Sequence, residues 1–453
     1  MNEAATAHTP TAGDQSDAAK SVRLRAELQA LASYIPTPIV RQQLASPRIG
    51  HVDGMFLDGS VLFADLSGFT ALSETLSALG KQGAEEISEI INRLFGALLG
   101  EITRYGGQVL KFGGDALTAF FDGAVLGTSH AALASGAALA LQQRMHEFDA
   151  LATRAGVFRL RLRIGVHSGR VFAAQVGDAE HIELIVTGRT INRVALAQEI
   201  AESGEVVISE ATLGLLAGAA ASPRQGGFHL LERLPEAVAP MYASAPIWTP
   251  GAGDQAELAA LEARIAALRP YLPRQLPRRF LEQAEGASGE FRSVSVLFVN
   301  FFPFSAALDL LGDDTATAAQ VLNAYYLRAQ QVIHRYGGIV NKVDMSTYGD
   351  KLMALFGAPT AHENSPELAV RAALELRGAL EQANQEIDAL LRTASQRSIA
   401  GGDRVMHQRI GINTGVMFAG MVGSQQRREY TVMGQHVNLA ARLMAAADDG
   451  AVV

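Results

Sequence analysis

The sequence contains no cysteine among its 453 residues. Disulfide staples and thiolate metal sites are therefore excluded, and a reducing, cytoplasmic setting is expected. No run of about 18 apolar residues occurs, so no membrane-spanning helix is expected. The alanine-rich stretch at 131–141 is too short to span and reads as a packed helix. The first 21 residues lack the apolar block of a secretory signal. The formal net charge is -8, which offers no basic footprint for nucleic acid. Hydrophobic residues make up 48% and charged residues 19%, the balance of an ordinary globular chain.

What the chain does have is a repeat. VLFADLSGFT at 61–70 returns as VLFVNFFPFS at 296–305, and RYGG at 104–107 returns at 335–338. RLRIGVHSGRVFAAQVG at 161–177 returns as HQRIGINTGVMFAGMVG at 407–423. The repeat predicts two domains, each long enough for its own core. The expected layout is a disordered tail (1–21), a lead-in helix (22–50) and a first domain (51–247). A linker with a second lead-in helix (248–290) and a second domain (291–453) follow. Both lead-ins carry proline breaks, at Pro36 and Pro38 and again at Pro270, Pro273 and Pro277.

Within the first copy, a short strand is expected at 60–65, then helix from about Thr70 to Tyr105 with breaks near Gly80 and Gly83. Residues 107–121 read as a hairpin turning at Gly113-Gly114-Asp115. A helix at 128–153 precedes two strands hinged at Ser168-Gly169, a helix at 189–202 and a strand at 205–208. This order is βαββαβ, the ferredoxin-like α+β pattern. The second copy follows it and stops at Val453 inside its last strand. The first copy runs on for roughly 40 residues, so further C-terminal domains are expected in a longer protein.

The copies have lost complementary residues. Asp65 ends the first strand and Asp115 sits in the hairpin turn, but Asn300 replaces the first aspartate in copy two. Asn438 and Arg442 lie one helical turn apart in copy two, whereas copy one has Asn192 and Leu196. Two carboxylates on a rigid sheet suit Mg²⁺ or Mn²⁺ shared with substrate phosphates. The turn Leu66-Ser67-Gly68-Phe69-Thr70 opens a helix and could cradle phosphate through backbone N–H groups. Each residue alone reads as a solvated surface group, and Lys111 alone as an edge-strand lysine. Together they suggest one composite site built by both halves, an intramolecular head-to-tail pseudo-dimer with no need for a second chain.

FADLSGFT, LKFGGD and YTVMGQHVNLAARL resemble the signatures of class III nucleotidyl cyclase homology domains. The tandem layout and REYTVMGQHVNLAARLM are similar to soluble adenylyl cyclases of the bicarbonate-responsive type. The resemblance implies conversion of ATP to cyclic AMP and pyrophosphate with two Mg²⁺ or Mn²⁺ ions. It assigns metal binding to Asp65, Asp115 and the Leu66 carbonyl, and adenine reading to Lys111 with Thr431. Asn438 becomes the ribose-orienting residue and Arg442 the transition-state cation. The twin site, with Asn300, Lys342, Asp350, Ile185, Asn192, Ala195 and Leu196, is expected to be dead. In the resembled family that pocket binds bicarbonate through a lysine, matching Lys111 or Lys342, and an arginine. Ala195 stands at the arginine position and Arg193 lies elsewhere on the helix, which argues against bicarbonate activation. The other reading is a nucleotide-binding module without turnover. The tripeptide Gly113-Gly114-Asp115 also mimics part of a diguanylate cyclase signature, but Ala116-Leu117 does not continue it.

Overall fold

The computed structural model describes residues 12–235, 238–239, 255–276, 289–346, 349–395 and 405–453. Among the described residues fifteen strands carry the architecture. In the first domain these are β1 (Asp53–Ser67), β2 (Gln108–Phe112), β3 (Ala116–Asp122), β4 (Leu151–Thr153) and β5 (Gly156–Phe158). They continue with β6 (Arg161–Gly177), β7 (Ile182–Thr187), β8 (Val206–Ser209), β9 (Ala220–Arg224) and β10 (Phe228–Arg233). The second domain has β11 (Glu290–Phe302), β12 (Ile339–Met345), β13 (Asp350–Phe356), β14 (His407–Gly423) and β15 (Arg428–Met433).

The first sheet runs β2-β3-β1-β6-β8-β10-β9 with β7 folded back on β6, and the second runs β12-β13-β11-β14-β15. The shared core order, hairpin strands outside, first strand central, long strand beyond, is the expected ferredoxin-like arrangement. A parallel bridge from Ile410 to Val452 begins the strand that β8 completes in the first domain.

The domains do not have separate cores. Phe418, Val422 and Met433 of the second domain pack into the first core, beside Leu94, Phe95 and Leu98. Phe172, Ala174, Val176 and Ile185 of the first domain pack into the second core, beside Tyr325 and Leu322. The far half of each long strand thus inserts into the other domain, against the helices Lys81–Arg104 and Thr315–Arg335. Exchanged apolar surface of this kind fixes the pseudo-dimer geometry.

Several local expectations change. The stretch 159–176 is one strand, not two, because Ser168 is a ladder member. Its hydroxyl meets Ser60 Oγ at 2.7 Å and Thr212 Oγ1 at 3.1 Å, directly across from Ser60 in register. The strand expected at 60–65 extends to 15 residues. The helix expected at 128–153 ends at Arg144, and a short turn leads into the β4–β5 hairpin. The helix after β1 breaks only at Gly80, and Gly83 lies within Lys81–Arg104. The segment Gly123–Phe148 is apolar and long enough to cross a membrane by composition, yet Leu133, Ala137 and Leu141 serve the core.

The tail expected to be disordered is helical from Ala12, in a helix that runs to Ala32. Pro36 breaks the chain before the helix Thr37–Ala45, and Pro38 sits in its first turn, where a missing N–H costs nothing. The second lead-in is the helix Gln255–Leu268, followed by a turn at Arg269–Tyr271. Pro277 and linker residues 244–254 lie outside the described residues. The two lead-ins pack on each other, with Arg25 and Glu257 paired at 2.6 Å. Both cover the second sheet through Val294, Val296 and Phe298 of β11.

Gly165 and Gly411 hold the same place in the two copies, where a helix presses on the long strand. A Cβ on Gly411 would stand 2.2 Å from Met444 N and 2.4 Å from Ala440 O. Those atoms belong to the helix Gln435–Ala446, which carries Asn438 and Arg442. Gly411→Val must push that helix off the sheet. We expect a destabilisation of about 2 kcal/mol or more, from forcing a side chain into this contact. Thermal unfolding of the variant checks it.

Candidate active site

Asp65 lies near the end of β1, opposite Ala116 on β3 and Arg163 on β6. Asp115 sits in the tight turn between β2 and β3, tied back by Leu66 N–H to Asp115 O at 3.0 Å. The two carboxylates are neighbours. Burial raises both above the ordinary range, and the Asp65 charge helps push Asp115 up to about 7. Arg163 pairs with Asp65, while no side chain of the described residues donates to the Asp115 carboxylate. Lys351, from the second domain, lowers both slightly. Arg163 and Lys351 were not anticipated, because cross-strand register and interdomain placement brought them here. The charge pattern L-R-L-R at 160–163 was the only available signal for Arg163.

Immediately after β1 the chain turns at Gly68, with φ +94°, and starts the helix Phe69–Ser77 without a side-chain cap. A Cβ there would stand 2.3 Å from Arg159 O, so the left-handed turn requires glycine on two counts. Phe69 is buried and anchors the turn. Ser67 accepts a hydrogen bond from Ser203 at 3.1 Å. The first N–H groups of this helix face the same end as the paired carboxylates, a suitable place for phosphate oxygens.

Asn438 of the second domain donates to Thr70 Oγ1 of that turn at 3.1 Å. The helix Gln435–Ala446 of one repeat therefore reaches the turn after β1 of the other. Arg442, one turn further on, is exposed and makes no ion pair among the described residues.

Thr431 and Lys111, the pair expected to read adenine, have other partners. Thr431 Oγ1 lies 3.2 Å from Asn341 Oδ1, and Asn341 donates to Tyr430 O at 2.7 Å. Lys342 is the next residue on that strand. Lys111 instead pairs with Glu183 of its own domain and donates to Val343 O at 2.5 Å. Lys342 mirrors it, pairing with Glu429 at 2.8 Å and donating to Phe112 O. Each lysine follows a β-bulge at the same place in its hairpin. The expected union of Lys111 with Thr431 is therefore not formed among the described contacts, and Lys342, expected in the twin site, follows directly after Asn341, the partner of Thr431.

The twin site is filled. Asp350 is 1% exposed and accepts from Thr187 Oγ1 at 2.7 Å; burial pushes its carboxyl to about 7. Asn300 donates to Asp350 O at 3.1 Å and accepts from Arg409 at 3.0 Å. Ala195 packs among Ile191, Val194, Leu110 and Met345. Ile185 is fully buried, Leu196 flanks a neighbouring apolar cluster, and Asn192 is half-buried. Arg193 lies over the Phe228 ring and donates to Gly226 O, away from this cluster.

Two neighbouring hard-oxygen carboxylates of raised proton affinity fit a divalent cation, and among the described residues no third carboxylate or imidazole joins them. Remaining ligands would have to come from backbone, water or substrate.

The family profile described as "Adenylate and Guanylate cyclase catalytic domain" matches residues 56–237 and 287–453. Adenylate cyclase type 10 of Homo sapiens is 27% identical over 442 residues, covering 91% of this chain and 25% of that protein. Adenylate cyclase 1 of Rhizobium meliloti is 27% identical over 170 residues, covering 38% of this chain and 25% of that protein. The chain thus spans about a quarter of the length of these curated relatives. A class III adenylyl cyclase-like ATP-binding protein from Pseudomonas aeruginosa shares the fold, with a TM-score of 0.57 at 15% identity. That superposition covers 92% of this chain and 91% of the other. With both repeats matched in full sequence order, the chain belongs to the adenylate and guanylate cyclase catalytic domain family.

Proposed function

We propose that the chain is an adenylyl cyclase with one active site, at the face where Asp65 and Asp115 of the first repeat meet Asn438 and Arg442 of the second. The Asn438–Thr70 hydrogen bond across the domains carries this reading. It puts the ribose-orienting candidate beside the phosphate turn.

Asp65, Asp115 and the Leu66 carbonyl would hold Mg²⁺ or Mn²⁺. A cation there supplies acidity to the ribose 3′-hydroxyl and neutralises phosphate charge. The residues of the chain do the rest. The first turn of Phe69–Ser77 and Arg163 receive the phosphates. Asn438 orients the ribose, and Arg442 offsets charge on the α-phosphate. The 3′-oxygen bonds to the α-phosphorus, the bond to the β-phosphate oxygen breaks, pyrophosphate leaves with that electron pair, and the hydroxyl proton passes to water. Positioning dominates, because nucleophile and electrophile share one molecule.

Lys342 and Thr431, not Lys111 and Thr431, read the purine. Adenine offers an acceptor at N1 and a donor at its amino group, which match an ammonium and the Thr431 or Asn341 oxygen. Guanine reverses both, so ATP is preferred. The apolar filling around Ala195 leaves the twin site closed to nucleotide and to bicarbonate.

Purified chain incubated with ATP and Mg²⁺ or Mn²⁺ should form cyclic AMP, with little product from GTP. Asp65→Ala and Asp115→Ala should abolish it, and Arg442→Ala should cost about 10³-fold in kcat. Cyclic AMP still formed by purified Asp65→Ala, or ATP bound without any turnover, would remove the reading.

A second prediction concerns the twin site. Free aspartate ionises near pH 4, while buried Asp350 holds its proton to about 7. Folding is therefore penalised progressively from about pH 4 to 7 and fully above it. Asp350→Asn should raise the thermal midpoint at pH 8, by at most about 4 kcal/mol in stability, and leave it nearly unchanged at pH 4. Cyclic AMP formation should persist. Equal shifts at both pH values would contradict the protonation argument.

A further inference from the structure

We infer that Arg427 is a positioning residue that ties the first lead-in to the purine end of the site, an inference that rests on Lys342 and Thr431 reading the purine. Arg427 sits in the turn between β14 and β15 and is 7% exposed. Its guanidinium donates to Tyr34 O at 2.9 Å, in the lead-in, and to Leu110 O at 3.1 Å, in the first domain. It also donates to Arg428 O at 2.7 Å and contacts Glu429 Oε2 at 3.4 Å. Glu429 in turn pairs with Lys342 at 2.8 Å and accepts from Phe112 N–H at 3.4 Å. Thr431 follows two residues later, on the same face of β15. A continuous path therefore runs from Tyr34 through Arg427 and Glu429 to the lysine and threonine that read the base.

The lead-in is held to this strand by more than one contact. Arg428 N–H donates to Ser33 O at 2.8 Å, and Arg428 Nε donates to Ser33 Oγ at 2.9 Å. The Arg428 guanidinium also lies 4.8 Å from the Tyr34 ring centre. The repeat supplies an internal control. His181 occupies the position of Arg427 in the first copy. It is buried, stacked on His334, and its Nδ1 finds no hydrogen-bond partner among the described residues. A strut needed only for folding would serve both copies. The arginine stands only in the copy that carries Thr431. Arg427 and Lys342 also border a cavity closed by Tyr34-Ile35-Pro36 and Tyr271-Leu272-Pro273, the matching turns of the two lead-ins.

The test uses Arg427→Met and Arg427→Lys in the full chain. Cyclisation kinetics with ATP and GTP, binding of non-hydrolysable ATP and GTP analogues, and thermal unfolding are measured together. Arg427→Met should raise KM for ATP, and the analogue Kd, about tenfold, and erode the ATP-over-GTP preference to match, with kcat within about threefold. Arg427→Lys keeps the charge but has one nitrogen with three donors for the four acceptors the guanidinium spans, and should fall between. If Arg427→Met does not fold, the lysine variant decides, since its preference must still drop. An unchanged preference, with loss confined to kcat or thermal stability, would make Arg427 a strut and overturn the inference. Wild-type protein that prefers the ATP analogue yet forms no cyclic AMP would defeat the cyclase reading while leaving the binding comparison decisive. Wild-type protein with no preference for ATP would overturn both.

Discussion

Two buried lysines set the relation between the halves of this molecule. Lys111 donates to Val343 O in the second domain, and Lys342 donates to Phe112 O in the first. Each also needs its own carboxylate, Glu183 or Glu429. Buried ion pairs add little net stability, since desolvation offsets attraction, but removing one partner strands a charge at about 3–5 kcal/mol. Any slip of one domain against the other breaks both reciprocal bonds at once. The exchanged apolar strands hold the domains together, and the lysines select the register. Only in that register does Asn438 reach Thr70.

The glycine prediction for position 411 and the aspartate prediction for position 350 come from opposite consequences of one ancestral symmetry. In both copies a helix lies hard on a glycine of the long strand, so the helix bearing Asn438 is placed by backbone contact and not by its own side chains. In the twin, the same backbone frame survives without the chemistry. Thr187 covers Asp350, Asn300 turns its amide to Asp350 O, and alanine-sized and branched residues close the space around Ala195. The twin is therefore a packed part of the interface and not a vacant copy of the site.

Much of this was legible from the residues alone. The repeat, the α+β order, the paired Asp65 and Asp115, and the i, i+4 placement of Asn438 and Arg442 follow from local spacing. The partner of Thr431 did not, because both copies carry a lysine at the matching hairpin position and spacing cannot tell which one faces a given strand. The structure shows Asn341 on Thr431 and Glu183 on Lys111, neighbours that only register supplies. Arg163 was hidden for the same reason, as its meaning lies in the residue across the ladder. Ser168-Gly169 misled in the other direction. A polar, small pair resembles a turn until Ser60 and Thr212 supply buried partners for the hydroxyl.

The lead-ins acquire a different standing from this geometry. By sequence each precedes the domain that follows it and reads as part of it. In space the first lead-in crosses to the second domain, where Ser33 and Tyr34 grip the β14–β15 turn and the strand that carries Glu429 and Thr431. The second lead-in packs on the first, and both cover the same face of β11. Force applied to either helix therefore meets β15, the strand that carries Glu429 and Thr431, before it meets Asp65 and Asp115. Asp65 and Asp115 are built into a hairpin turn and a central strand, which resist such displacement, whereas β15 is an edge strand held from outside. Any displacement of the lead-ins would therefore act first on β15 with Glu429 and Thr431, and only through that strand on the end of the molecule that holds Asp65 and Asp115.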